Sequence, residues 1–243
     1  MEIYFLGSGD AFGSGGLDQT CFFIRTDSVN ILLDCGCSAL ISLNKAGISP
    51  NIIDVIVVSH FHGDHFGGIP FLIRQQHFEK REKPLTLIGP ASLDKYLISL
   101  ESALFPSTTQ FTPCFEIRIM EFAANSSCCL NDNITIEAFE VDHVPETLPH
   151  AIRLTCFGKI IAYSGDTKWT PKLIEVSKNA DLFICETYTL NSPNRIHMHY
   201  DALVENEHLL TAKEIILTHC SEEVLKADHL KYRRADEVKK ITI

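Results

Sequence analysis

The chain has 243 residues, enough for one large domain or two small ones with a well-buried core. Hydrophobic residues at 45% and charged residues at 21% exclude a disordered chain, and no run reaches the ~18–20 uncharged apolar residues of a membrane helix. A formal charge of −10 weighs against a nucleic-acid partner unless the basic residues cluster.

The amino terminus has no basic stretch followed by a long apolar run, so it does not read as a signal peptide, and a cytoplasmic location is expected. Residues 3–6, 21–25 and 30–33 read as short strands, with the glycine-rich 7–16 as the loop between the first two. Residues 39–46 suit a helix that ends at Gly47. The run 52–59 is continuous and β-branched, as expected of a strand buried on both faces. Residues 67–78 can be helical, interrupted near Pro70. A strand at 85–88, a helix at 91–104, and strands at 117–122 and 134–141 follow.

Residues 151–156 and 159–163 form a hairpin turning at Phe157-Gly158, and Pro171 suits a helix start. Short buried strands at 182–185 and 214–217 alternate with helices at 202–210 and 221–230. Strands followed by helices in both halves suit an α/β (α+β) chain, a single domain spanning 1–243, built as a four-layer αββα sandwich. A doubly wound sheet fits the same pattern at low resolution. The nine cysteines show no CxxC pair, and several lie in apolar segments, which suits buried free thiols in a reducing compartment. Cys128-Cys129 in a polar stretch has no account at this level.

The segment Ser59-His60-Phe61-His62-Gly63-Asp64-His65-Phe66-Gly67-Gly68 concentrates metal-ligand chemistry. Imidazole and carboxylate suit zinc and its first-row neighbours. Strand alternation points His60 and His62 the same way, while a turn beginning at Gly63 lets Asp64 and His65 face a second centre. Gly67 and Gly68 allow a tight turn into the next helix. A histidine-rich surface loop has no need to follow a buried strand or to be bracketed by glycines.

This segment resembles the HxHxDH motif of the metallo-β-lactamase superfamily, in particular its ribonuclease Z-like, phosphodiesterase branch. The resemblance extends over most of the chain. It implies that Asp34 braces the metal loop. It also implies a first metal on His60, His62 and His143, a second on Asp64, His65 and His219, and Asp166 bridging the two. Two divalent ions, zinc in first place with manganese or iron as alternatives, would then be the cofactors. Such a pair, about 3.5–4 Å apart, can share a bridging hydroxide and clamp an electrophilic centre.

The catalytic set implied by the resemblance is Asp64 with His197 and Glu186. His197, 22 residues ahead of His219, resembles the histidine that protonates the leaving group in that branch, and Glu186 the glutamate that orients it. His199 would touch substrate or cap a helix. The tRNA-processing members of the branch carry a Gly/Pro-rich arm between the equivalents of His143 and Asp166. Here only 23 residues separate the two, so the arm is missing and tRNA 3′-end cleavage is disfavoured. The resemblance then implies a phosphodiesterase acting on a small phosphodiester. The alternatives are a thioester, lactone or lactam hydrolase on the same metal pair, or a non-catalytic metal-binding module. The family commonly dimerises, and a homodimer is compatible with the chain, although no interface is legible.

Overall fold

The computed structural model describes residues 1–106, 111–122, 127–192 and 195–243. The first half lays down β1 (Glu2–Gly7), β2 (Cys21–Arg25) and β3 (Asn30–Leu33) as an antiparallel meander. Helix α1 (Ala39–Lys45) leads to β4 (Val55–Val57). Helices α2 (Gly63–Phe66) and α3 (Ile69–Phe78) lead to β5 (Leu85–Gly89), and α4 (Leu93–Leu104) to β6 (Ile117–Glu121). Each crossover adds a parallel strand.

The second half repeats this plan. Strands β7 (Ser127–Asn131), β8 (Ile134–Glu140), β9 (His150–Cys156) and β10 (Lys159–Tyr163) are antiparallel. Helices α5 (Lys172–Ser177), α6 (Tyr200–Asn206) and α7 (Glu222–Leu225) then precede the parallel strands β11 (Leu182–Glu186), β12 (Ile215–Thr218) and β13 (Arg233–Arg234). Finally β14 (Lys240–Thr242) returns to pair with β1, joining the carboxyl terminus to the first sheet.

Two seven-stranded sheets result, ordered β14-β1-β2-β3-β4-β5-β6 and β13-β12-β11-β10-β9-β8-β7. Alternation along each strand feeds two apolar layers. On β2, Phe22 and Ile24 point between the sheets, where they meet Ile134, Leu154 and Tyr163. Cys21 and Phe23 point outward to Leu43 of α1 and Leu72 of α3. On the second sheet Phe183, Cys185 and Leu217 pack outward against Leu173, Val176 and Leu203. Three layers of buried side chains between four layers of structure give the αββα sandwich. Double-sided burial also explains the unbroken apolar runs in the sequence. Among the described residues no helix is long and apolar enough to cross a membrane. All nine cysteines are free thiols, and Cys128-Cys129 lies on the hairpin strand β7, which the sequence reading did not anticipate.

Four expectations change. The ladder of β4 covers only Val55–Val57, because Pro50–Ile52 forms a separate turn of 3-10 helix capped by Ser49. Pro70 does not interrupt α3: it sits in the first turn, where its missing N–H costs nothing. The helix expected at 221–230 shrinks to Glu222–Leu225. Gly67 and Gly68 keep ordinary helical angles (φ −66 and −82), so conformational freedom is not their role. They permit close approach instead: a Cβ on Gly68 would lie 2.2 Å from the carbonyl oxygen of Gly36, and one on Gly67 would lie 2.4 Å from Cys37 Sγ.

That contact sets the distance between the histidine-rich loop and the turn after β3. Gly68→Ala is therefore expected to cost about 1–3 kcal/mol in denaturant unfolding. Gly63→Ala is expected to cost far less, because its added Cβ would meet only Cys37 Sγ at 3.9 Å. Equal effects of the two substitutions would contradict this packing.

Candidate metal centre

Both sheets deliver polar side chains to one seam, at the carboxyl-terminal ends of strands. Asp34 follows β3, the loop 58–62 follows β4, His143 follows β8, Asp166 follows β10, and His219 follows β12. Asp34 and His219 adopt the left-handed conformation (φ 58 and 55), a strain of about 1–2 kcal/mol each that the surrounding contacts must hold. For Asp34 those contacts are explicit. Its fully buried carboxylate accepts from Ser59 N and Ser59 Oγ, each at 2.7 Å, from His65 Nδ1 at 2.7 Å and from the Tyr163 hydroxyl at 3.0 Å. Asp34 thus pins the start of the loop and turns His65 so that Nε2 faces the seam.

Two groups of ligand atoms meet there. In the first, His60 Nε2 lies 3.2 Å and His143 Nε2 lies 3.0 Å from His62 Nδ1, and Asp166 Oδ2 stands 3.8 and 4.0 Å from the first two nitrogens. In the second, Asp64 Oδ2 lies 3.2 Å from His65 Nε2 and 3.1 Å from His219 Nε2. Asp166 closes that group at 3.2 Å from His65 and 3.3 Å from His219. Ligands held ~2.0–2.2 Å from a tetrahedral ion are spaced roughly 3.3–3.6 Å apart, so both groups are of the right size. Among the described residues His65 Nε2 and Asp166 Oδ1 are buried without a hydrogen-bond partner, the condition a cation between them would relieve. The residues therefore fit divalent metal, with Asp166 common to both groups.

The charge balance agrees. Burial opposes charge on His65, but Asp166 and Asp64 outweigh it and hold the imidazole well above its ordinary pKa. Burial likewise opposes charge on His219, yet Asp166 and Asp64 carry it up to about 10. Burial, with His65 beside it, pushes His60 well below the usual histidine range. Asp166 resists its own burial because His219 and His65 hold it well below the carboxylate range. Positive charge is thus called to the space between the carboxylates, where a divalent ion would supply it.

Beside this seam, fully buried Glu186 forms an ion pair through Oε1 with His197 Nδ1, and its Oε2 accepts from Thr167 N at 2.5 Å. Burial lowers the His197 pKa, but Glu186 outweighs it and the net shift is upward. His199 caps α6 instead, its Nδ1 accepting from Ala202 N at 3.2 Å, so of its two expected roles the structure supplies the cap.

The structure also supplies partners that the sequence reading did not single out. Ser59 meets His60 Nδ1 at 3.0 Å, Tyr163 reaches Asp34, Thr167 holds Glu186, and the Tyr188 ring lies 4.8 Å from that of His197. Ser59 and Thr167 each neighbour a residue that the motifs named, and Tyr188 lies two positions from Glu186, which is the one signal that could have found them. Removing the Tyr163 hydroxyl strips a buried carboxylate of a donor while leaving the ring packed on Phe22. Tyr163→Phe is expected to lower stability by about 1.5–3 kcal/mol in denaturant unfolding. No change would mean that the hydroxyl contributes nothing to Asp34.

Comparison with known proteins places this geometry. A protein-family model described as "Anti-Pycsar protein Apyc1" matches residues 1–240. A ribonuclease Z from Lachnoclostridium phytofermentans is 24% identical, covering 94% of this chain and 90% of its own length, over 280 aligned positions. Among solved structures, the metallo-β-lactamase fold protein YhfI from Bacillus subtilis superposes with a TM-score of 0.75 at 19% identity, covering 90% of this chain and 86% of its own. A diphosphatase from the PhnP family superposes with a TM-score of 0.78 at 17% identity, covering 100% of this chain and 97% of its own.

Proposed function

The chain belongs to the family described as anti-Pycsar protein Apyc1, among the metal-dependent hydrolases of the metallo-β-lactamase superfamily, and on that premise we propose that it is a dinuclear phosphodiesterase acting on a small phosphodiester. A cyclic nucleotide or a sugar cyclic phosphate is the substrate class. A first ion would be held by His60, His62 and His143 and a second by Asp64, His65 and His219, and Asp166 would serve both. Zinc is the first choice, and manganese or iron suits the same donors. Residues 1–243 act as one domain, since β14 closes on β1 and both sheets share the central core. Nine free thiols suit a reducing cytoplasm.

Bound divalent ions supply Lewis acidity and a water acidic enough to attack near neutral pH. The chain's own residues do the rest. Two carboxylates among seven ligands leave a site with two divalent ions net positive, which draws an anionic ester. His197 uses Nδ1 on Glu186, leaving Nε2 to hand a proton to the departing oxygen. Phosphodiesters with alkoxide leaving groups need that proton more than thioesters do, and the His197–Glu186 pair beside both ligand groups is the observation that carries this reading.

The small-substrate assignment rests on what lies between His143 and Asp166. That stretch holds only the turn Pro145–Thr147 and the β9–β10 hairpin, with no room for a long arm. The ribonuclease Z alignment spans 280 positions against a chain of 243, so it opens gaps in this chain.

The test is hydrolysis by the metal-loaded protein of cyclic mononucleotides and a chromogenic phosphodiester beside a lactone, a thioester and a precursor tRNA. Phosphodiester cleavage is expected. Activity confined to the acyl substrates would overturn the reaction class, and preferred cleavage of tRNA would overturn the small substrate.

His197→Ala is expected to lower kcat by about 10²–10⁴-fold on poor leaving groups, with KM little changed. The pH profile follows from the charges facing His197, namely Glu186, Asp166, His143 and His219, with Tyr188 beside it. Bound divalent ions would oppose charge on His197, and Glu186 raises its pKa against them. The acid form is full below that pKa and lost as pH rises through it, so kcat falls on the alkaline side. In Glu186→Gln the fall is expected at lower pH, and an unmoved alkaline limb would remove His197 as the donor.

A further inference from the structure

A histidine that gives one ring nitrogen to a metal presents the other as an N–H, and a buried N–H needs an acceptor. The buried ligand histidines meet this requirement one at a time. His60 Nδ1 has Ser59 Oγ at 3.0 Å, His65 Nδ1 has Asp34 at 2.7 Å, and His143 Nδ1 has the carbonyl oxygen of Ile196 at 2.7 Å. His219 is the exception. It is 2% exposed, its Nε2 faces Asp64 and Asp166, and its Nδ1 has no hydrogen-bond partner among the described residues.

One acceptor stands close. Glu186 Oε1 lies 3.5 Å from His219 Nδ1, just beyond good hydrogen-bond range. It is the same oxygen that holds His197 Nδ1. The two imidazoles lie nearly parallel, with centroids 5.4 Å apart and planes at 21°, and both bring Nδ1 to this atom. The carboxylate is not free to turn away. Its other oxygen accepts from Thr167 N at 2.5 Å, and its backbone N–H donates to Ser164 Oγ at 2.8 Å. A carboxylate oxygen accepts two hydrogen bonds without strain, so one atom can serve both rings.

We propose that Glu186 is a positioning residue for the second metal centre as well as for His197, its Oε1 taking the Nδ1–H of both His219 and His197. One buried carboxylate then orients the last metal ligand and the proton donor together. This rests on the ligand and donor assignments above, and it gives Glu186 a duty that losing His197 would not disturb. Glutamine cannot replace it. Three N–H groups converge on the two carboxylate oxygens, and an amide offers one oxygen with an NH₂ in place of the other.

The experiment is zinc titration of the metal-free protein against a chromophoric chelator, for the wild type, Glu186→Gln and His197→Ala. In Glu186→Gln one of the two zinc steps is expected to weaken by about 10–100-fold while the other keeps its wild-type affinity. His197→Ala is expected to keep both affinities. Unchanged binding in Glu186→Gln would overturn the proposal. Equal weakening of both steps would also overturn it, because that marks a general structural loss. As a second measurement on the unmutated protein, imidazole ¹H–¹⁵N spectra of the zinc-loaded form are expected to show a protected, hydrogen-bonded Nδ1–H on His219; a rapidly exchanging one contradicts the contact. Failure of the catalytic reading would look different. Full activity of His197→Ala on poor leaving groups, with the zinc steps split as expected, would remove the proton donor and leave the Glu186–His219 contact standing.

Discussion

Asp64 and Asp166 are buried at the seam between two sheets, and an ionised carboxylate held away from water is costly unless positive charge meets it. In this chain the imidazoles of His60, His65, His143 and His219 are equally buried, and the hydrogen-bond partners of several sit on their far sides. The inner faces are left to one another. Their nitrogens and oxygens stand 3.0–4.0 Å apart. A fold that only needed stability would place apolar side chains here. The cost makes sense when cations occupy the space.

The rest of the architecture serves that seam. Strands end at the same edge of each sheet, so the segments leaving β4, β8, β10 and β12 bring the metal-ligating side chains together without long excursions, and the turn after β3 brings their brace. The close approach of Gly68 to Gly36 sets one wall, and the Asp34 carboxylate ties Ser59, His65 and Tyr163 into a single unit. Tyr163 comes from the opposite sheet, so the brace also spans the central core. The site is therefore rigid by construction: its ligands are fixed from behind by partners whose own positions depend on sheet packing.

Much of this was legible in the sequence because the first ligands are contiguous. His60, His62, Asp64 and His65 carry their chemistry within one short segment, and the later ligands each follow an apolar strand that periodicity reveals. What could not be read are relations that only tertiary structure creates. Tyr163 meets Asp34 across 129 positions of chain. The glycines after His65 read as turn-formers in sequence, while their constraint is the close approach of the turn after β3, Cys37 against Gly67 and Gly36 against Gly68. Strands β13 and β14 have two and three residues, too few for alternation to mark them, and β7 pairs through an edge that polar side chains conceal. His199 carries the same side chain as His197 two positions away, and only the helix start decides that it caps rather than faces the seam.

The family and superfamily account for the two-sheet frame and the hydrolytic class. The account stands on seven side chains holding two cations. Calorimetric titration of the metal-free protein with zinc at pH 7 counts the bound ions. Two ions per chain are expected, one for each group of ligand atoms that shares Asp166. A single ion, or none, would contradict the two-centre site.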